Sequence, residues 1–182
     1  AIAAEGAVIA RIEAYEGREQ PPVRFRDPVA AEKALLREPG IERVEGPVLV
    51  HWLGPMFLAS LEGYFPGDSF RRVMALDPAK VRGAKLSLLD AGLERGLRLE
   101  LAARDQLLLT GDDFHFADLI DGEAPTGATA LGEREVATGD FSHALLGVLD
   151  AVHEPAGIAL ALLARGDRAA YRELMEPCEV LG

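Results

Sequence analysis

Asparagine is missing from this 182-residue chain, and cysteine occurs once, at Cys178. A single cysteine excludes an intrachain disulfide, a CxxC redox pair and a cysteine-based zinc knuckle. Glutamine is confined to Gln20 and Gln106, and lysine to Lys33, Lys80 and Lys85, against sixteen arginines. Scarcity of thermolabile amides fits a heat-adapted source, as it fits a GC-rich genome. Because arginine serves wherever a generic cation is needed, a lysine retained in an apolar setting calls for a chemical reason. Positive charge is short overall: the formal net charge is -11, which opposes binding to nucleic acid or anionic lipid. Long hydrophobic runs are also lacking. Ala156–Ala164 falls short of the ~20 residues that span a bilayer. Ala1–Arg11 has no basic flank before its apolar residues, so it does not read as a signal peptide, and a cytoplasmic location is expected. Neither GxGxxG nor GxxxxGK[ST] occurs, so the common dinucleotide and phosphate loops are excluded.

What remains is a globular composition, 49% hydrophobic and 27% charged. The length suits one domain with a substantial core, 1–182, but is less than the ~250 residues of a complete (β/α)8 barrel. Ala1–Tyr15 reads as a helix, and Asp27-Pro28 opens another that runs to about Arg37. Val48–Leu53, bracketed by Pro47 and Gly54, is a short continuous apolar run of the kind found in strands buried on both faces. Val81–Leu88 and Gln106–Thr110 are two more. Helices are expected around Asp68–Ala75, over Asp90–Ala103 and over Phe114–Ile120. Asp121–Asp140 reads as a loop. Phe141–Val152, Pro155–Ala164 and Arg168–Met175 read as helices. Strands alternating with helices predict an α/β fold with a parallel sheet.

Period-two alternation places Lys85 on one strand face with Gly83 and Ser87, opposite Ala84, Leu86 and Leu88. Such a polar stripe suits the C-terminal rim of a parallel barrel. A desolvated lysine amine can attack a ketone and form a Schiff base; the plain alternative is a strand-end lysine with its head in solvent. Asp112 and Asp113 follow a buried strand, where they can hold substrate hydroxyls, or one of them simply caps the next helix. With His115 and Asp118 they also form a possible metal-ligand cluster. His51 is a candidate general acid/base or a structural histidine. Ser142, before His143, has the character of a helix N-cap whose free N–H groups receive an anion. Tyr64, Tyr171 and His153 have no context beyond core or surface.

Three segments in order, Pro47–Trp52, Val81–Lys85 and Leu109–Asp113, resemble strands five, six and seven of the dihydrodipicolinate synthase / N-acetylneuraminate lyase family. A closer similarity is to an uncharacterised bacterial branch of these barrels, domain of unknown function family 993. It is carried by His51-Trp52-Leu53-Gly54, Lys85–Asp90, Thr110–Phe114 and Ser142–Gly147. The resemblance implies part of a (β/α)8 TIM-type barrel, strands five to seven or eight with their helices, incomplete at its N-terminal side. It implies a class I aldolase-like lyase or synthase in which Lys85 forms the Schiff base and His51 occupies the position of the family's catalytic tyrosine. Ser87, Asp112, Asp113, Trp52, Ser142 and His143 would surround a small carbonyl substrate, with no cofactor. The family's carboxylate-binding hydroxyl pair on an early strand has no counterpart here. The alternatives are a metal-dependent sugar or keto-acid barrel, or a barrel without activity that serves in assembly. A barrel segment with open sheet edges is expected to form a homo-oligomer.

Overall fold

The computed structural model describes residues 3–4, 7–8, 46–57 and 65–181. At the N-terminal end β1 (Ala3–Ala4) pairs antiparallel with β2 (Ala7–Val8), where apolar spacing predicts helix. Ala4 faces Ala7, and Glu5-Gly6 stands between them in the sequence, a turn-favouring pair that weighs against helix. The rest of that predicted helix, and the one opened by Asp27-Pro28, lie outside the described residues.

The main body is an α/β arrangement built on a parallel sheet. Its strands are β3 (Val48–Leu53), β4 (Val81–Ser87), β5 (Leu107–Thr110) and β8 (His143–Ala144), ordered β3-β4-β5-β8. Between them run α1 (Ser69–Leu76) and α2 (Ala91–Ala102). Asp90 caps α2, accepting the Leu93 N–H at 2.9 Å. Among the described residues the sheet does not close into a barrel.

Register fixes the two sheet faces. One row reads Trp52, Leu86, Thr110, Ala144, and the row below it Val50, Ala84, Leu108. This face packs on Phe70 and Met74 of α1 and Leu97 and Leu101 of α2. Each fully buried Leu or Phe contributes ~1.5–3 kcal/mol of hydrophobic stabilisation. Gln106, 1% exposed, ties the layer together: its Nε2 donates to the Met74 and Val81 carbonyls, both at 2.7 Å. The opposite row reads His51, Lys85, Leu109, His143.

Two expectations for the C-terminal third are corrected. The stretch expected as loop contains a hairpin, β6 (Gly127–Leu131) with β7 (Arg134–Thr138). Its tip is Gly132-Glu133, with Gly132 at φ 62 as a two-residue primed turn requires. The helix expected from Phe141 does not form there. The Ser142 N–H donates to the Leu119 carbonyl and that of Leu145 to the Thr110 carbonyl, so this backbone is satisfied by its neighbours and yields β8. A short α4 (Val148–Ala151) follows. α3 (Phe116–Ile120), α5 (His153–Ala164) and α6 (Arg168–Glu179) build a second apolar cluster around Phe116, Ala159, Tyr171 and Met175.

Candidate active site at the ends of the parallel strands

Lys85 lies on the central strand β4, two residues from its C-terminal end, on the face away from α1 and α2. Its row neighbour is His51 on β3. Ser87, next along the same face and 3% exposed, completes a compact group: His51 Nε2 and Ser87 Oγ are 3.1 Å apart. His51 titrates below its ordinary value, first because burial disfavours the imidazolium and then because Lys85 repels it. Both causes favour the neutral ring, the form that accepts a proton. Among the described residues no hydrogen bond or ion pair engages the Lys85 side chain.

Gly111 closes the group from β5. A Cβ built there would stand 2.1 Å from Ser87 Oγ and 2.8 Å from Lys85 Cε. A side chain at this position would have to displace Lys85 and Ser87 and crowd the Leu86 carbonyl oxygen, so close approach rather than backbone torsion favours glycine here. The structure thus brings three of the candidate residues, Lys85, Ser87 and His51, together, with Gly111 beside them.

The other candidates are distributed differently. Trp52 is on the helix face, its ring centroid 4.8 Å from Phe70 and 5.3 Å from Phe65, and is a core residue. Asp112 is fully buried and holds the turn after β5. It accepts the backbone N–H groups of Phe114 and His115 at 2.9 and 3.0 Å and also faces His115 Nδ1. It thereby fixes the turn that precedes the helix, which itself begins at Phe116 without a side-chain cap. Asp112 is so engaged and Asp118 is paired to Arg172 at 2.8 Å, which counts against the alternative of a metal cluster at Asp112, Asp113, His115 and Asp118. No group of three or more His, Cys, Asp or Glu side chains converges among the described residues. His143 shares the Lys85 row, but its Nε2 bonds the Ala137 carbonyl at 2.8 Å, anchoring the hairpin. Ser142 is no helix cap; its Oγ donates to Glu94 Oε1 at 2.7 Å.

Glu94 is the residue that sequence reasoning passed over. It projects from α2 beneath the sheet, 3% exposed, and also accepts from Thr110 Oγ1 at 3.1 Å. Thr110 Oγ1 in turn receives the Asp112 N–H. One carboxyl group thus joins the ends of β5 and β8. Burial, opposed by the Ser142 and Thr110 hydrogen bonds, raises its pKa to about 7. The available signal was its spacing: Glu94 lies three and seven residues before Leu97 and Leu101, on the apolar stripe of the helix.

Beyond the strand ends opens a cleft of ≈ 760 Å³. Met56 and Phe57 enter it from the exit of β3, Leu89 from β4, Asp113 and Phe114 from β5, and Val148 from α4. Leu89 holds φ 54, a backbone region that a leucine occupies only under local constraint. Of the two adjacent carboxylates, Asp113 is the one that reaches this cleft.

A lysine, a histidine and a serine are gathered near the C-terminal edge of this parallel α/β sheet, the edge at which such sheets commonly bind ligands. Residues 34–182 match the family described as "Protein of unknown function (DUF993)", and the chain belongs to that family. No curated protein matches it.

Proposed function

We propose that this protein is a class I aldolase-like lyase or synthase in which Lys85 forms an imine with a keto acid or related carbonyl compound. The observation that carries the reading is the Lys85 side chain, without a hydrogen bond or ion pair among the described residues and set among His51, Ser87 and Gly111 on one face of β4. In its unprotonated form, Nζ attacks the carbonyl carbon, the carbonyl oxygen takes a proton, and the carbinolamine loses water to leave an iminium. The iminium then draws the electron pair of the adjacent C–C or C–H bond toward nitrogen. Neutral His51 receives the proton released from the substrate, and Ser87 Oγ, hydrogen-bonded to it, holds the ring or passes the proton on. The four parallel strands act in this reading as consecutive staves of a (β/α)8 barrel, with the site at its C-terminal rim. Among the described residues β3 and β8 have no outer strand partner, and open edges of this kind favour a homo-oligomer; in this reading the protein is cytoplasmic.

Incubation with pyruvate, the smallest 2-oxo acid with a methyl group, followed by sodium borohydride should convert the imine to a stable secondary amine. Peptide mass mapping should place that adduct on Lys85, and Lys85→Ala should abolish it. An adduct on Lys80 at equal yield, or full activity of Lys85→Ala on a native substrate, would overturn the reading.

A further inference from the structure

The lining of the cleft at the strand ends is chemically one-sided. Met56, Phe57, Leu89, Phe114, Val148 and Leu181 present apolar side chains to it, and Asp113 is the one ionisable residue on its wall among those described. Among the described residues no lysine, arginine or histidine lines it. Its volume lies within the roughly 300–1,000 Å³ of small-molecule sites. Its position is also specific. Leu89 comes two residues after Ser87, and Asp113 two after Gly111, whose Cα backs the Lys85 side chain. Lys85 and Ser87 do not themselves line the cleft, so a molecule whose carbonyl meets Lys85 would reach it only with a tail directed past Ser87 or Gly111 toward Leu89 and Asp113. Large apolar side chains are costly to leave at a surface: Phe114 is 50% exposed, Met56 51% and Leu181 64%. Gathered around one concavity, they mark a binding site rather than scattered surface residues.

We infer that the cleft is a specificity pocket for the remote end of the substrate, and that it selects a carbonyl compound with an aliphatic or aromatic tail over one ending in phosphate or a second carboxylate. Asp113 adds to this selection by repelling anionic tails, while it can accept a hydrogen bond from a hydroxyl or an amine carried along the tail. This inference rests on the Schiff-base reading for the orientation of the substrate, but the pocket's preference can be measured without imine formation.

Unreactive 2-hydroxy acids serve that purpose. In titration calorimetry, 2-hydroxyoctanoate and 2-hydroxy-4-phenylbutyrate should bind at least tenfold more tightly than 2-hydroxyglutarate. Phe114→Lys, at an exposed position where the fold tolerates change, should reduce that ratio by fivefold or more; Ala151→Glu, on the exposed far wall, should do the same. Equal affinities, a preference for 2-hydroxyglutarate, or no binding of any probe would overturn the inference. So would variants that change the sedimentation coefficient yet leave probe binding intact, since the cleft would then be a contact between copies of the chain. Borohydride trapping keeps the two readings separate. An adduct on Lys85 with no apolar preference removes the pocket's role alone. Apolar binding with no adduct from any 2-oxo acid removes the Schiff-base reading, and leaves the cleft as an apolar anion-excluding site.

Discussion

At the scale of single residues, the site depends on what Gly111 lacks. The nearest atoms to its missing Cβ are Ser87 Oγ, Lys85 Cε and the Leu86 carbonyl oxygen at 2.9 Å. Two of these are the groups assigned to chemistry. Gly111→Ala must therefore push Lys85 and Ser87 aside, or move β5 away from β4. Overpacking of this kind costs ~1–3 kcal/mol, so the variant should still fold, with a thermal midpoint a few degrees lower. Its borohydride-trapped adduct should fall by at least tenfold, because a displaced amine loses its alignment. A variant that folds and traps at the parental level would show that the contact is incidental. The same residue explains what the sequence could and could not disclose. Lysine scarcity and strand alternation were enough to single out Lys85 and pair it with Ser87. The register that sets His51 beside Lys85 follows from strand pairing, which local pattern leaves open. Trp52 shows the limit most clearly. It adjoins His51 in sequence, yet period-two geometry sends it to the helix face, where it packs on Phe70.

At the scale of elements, the strands and helices of the central region were legible because each carried a strong local signature: a bracketed apolar run, an Asp cap, a Gly or Pro stop. The C-terminal third was not, since β8 spans only His143–Ala144 and exists by virtue of pairing with β5. What holds that short strand in place is Glu94, which accepts from Ser142 beside β8 and from Thr110 on β5. The groups facing its carboxyl are those two hydroxyls, Asp112, which raises its pKa, and Arg98, which lowers it and is itself paired with Asp140 at 2.6 Å. Because its folded pKa is raised from 4.5 to about 7, the folded form binds the proton more tightly than the unfolded chain. Its contribution to stability is complete below pH 4.5 and is lost as pH climbs through about 7. At ~1.4 kcal/mol per pKa unit, this loss is bounded at about 3 kcal/mol. His51 acts with the opposite sign below its ordinary value of 6.5, since its folded pKa is depressed. Comparison with Glu94→Gln cancels that background. Urea denaturation at pH 5 and pH 8.5 should show the parent losing more stability than the Gln variant between the two conditions, by ~1–3 kcal/mol. Parallel losses in the two proteins would mean that Glu94 does not titrate in this window.

At the scale of the whole molecule, a net charge of -11 on 19.5 kDa sets self-repulsion against the ion pairs that brace the second apolar cluster. The principal brace runs from α6 to α3 and the turn after it. Arg172 bonds Asp118 and Asp121, each at 2.8 Å, and Arg168 reaches Asp121 and the Gly122 carbonyl. The Tyr171 hydroxyl donates to the Ala117 carbonyl at 2.9 Å, and Glu179 accepts the Ala117 N–H. Salt weakens exposed pairs, which are worth ~0–1 kcal/mol apiece. The Asp121 side chain is only 3% exposed, so its pairs are screened far less. The long-range repulsion among surplus carboxylates is, by contrast, open to screening, because the Debye length shortens from ~30 Å at 0.01 M to ~8 Å at 0.15 M salt. Repulsion should therefore respond to salt more than the brace does, and the thermal midpoint should rise by several degrees between 10 and 150 mM sodium chloride. Arg172→Ala should lower the midpoint at both salt concentrations by a similar amount, because it strips a buried carboxylate of a partner rather than altering the distant field. A parental midpoint that falls with salt would mean that surface pairs outweigh the net charge. An Arg172→Ala defect that vanishes at 150 mM would mean that the Asp121 pair is solvent-screened, and that α6 is held on α3 chiefly by their shared apolar cluster.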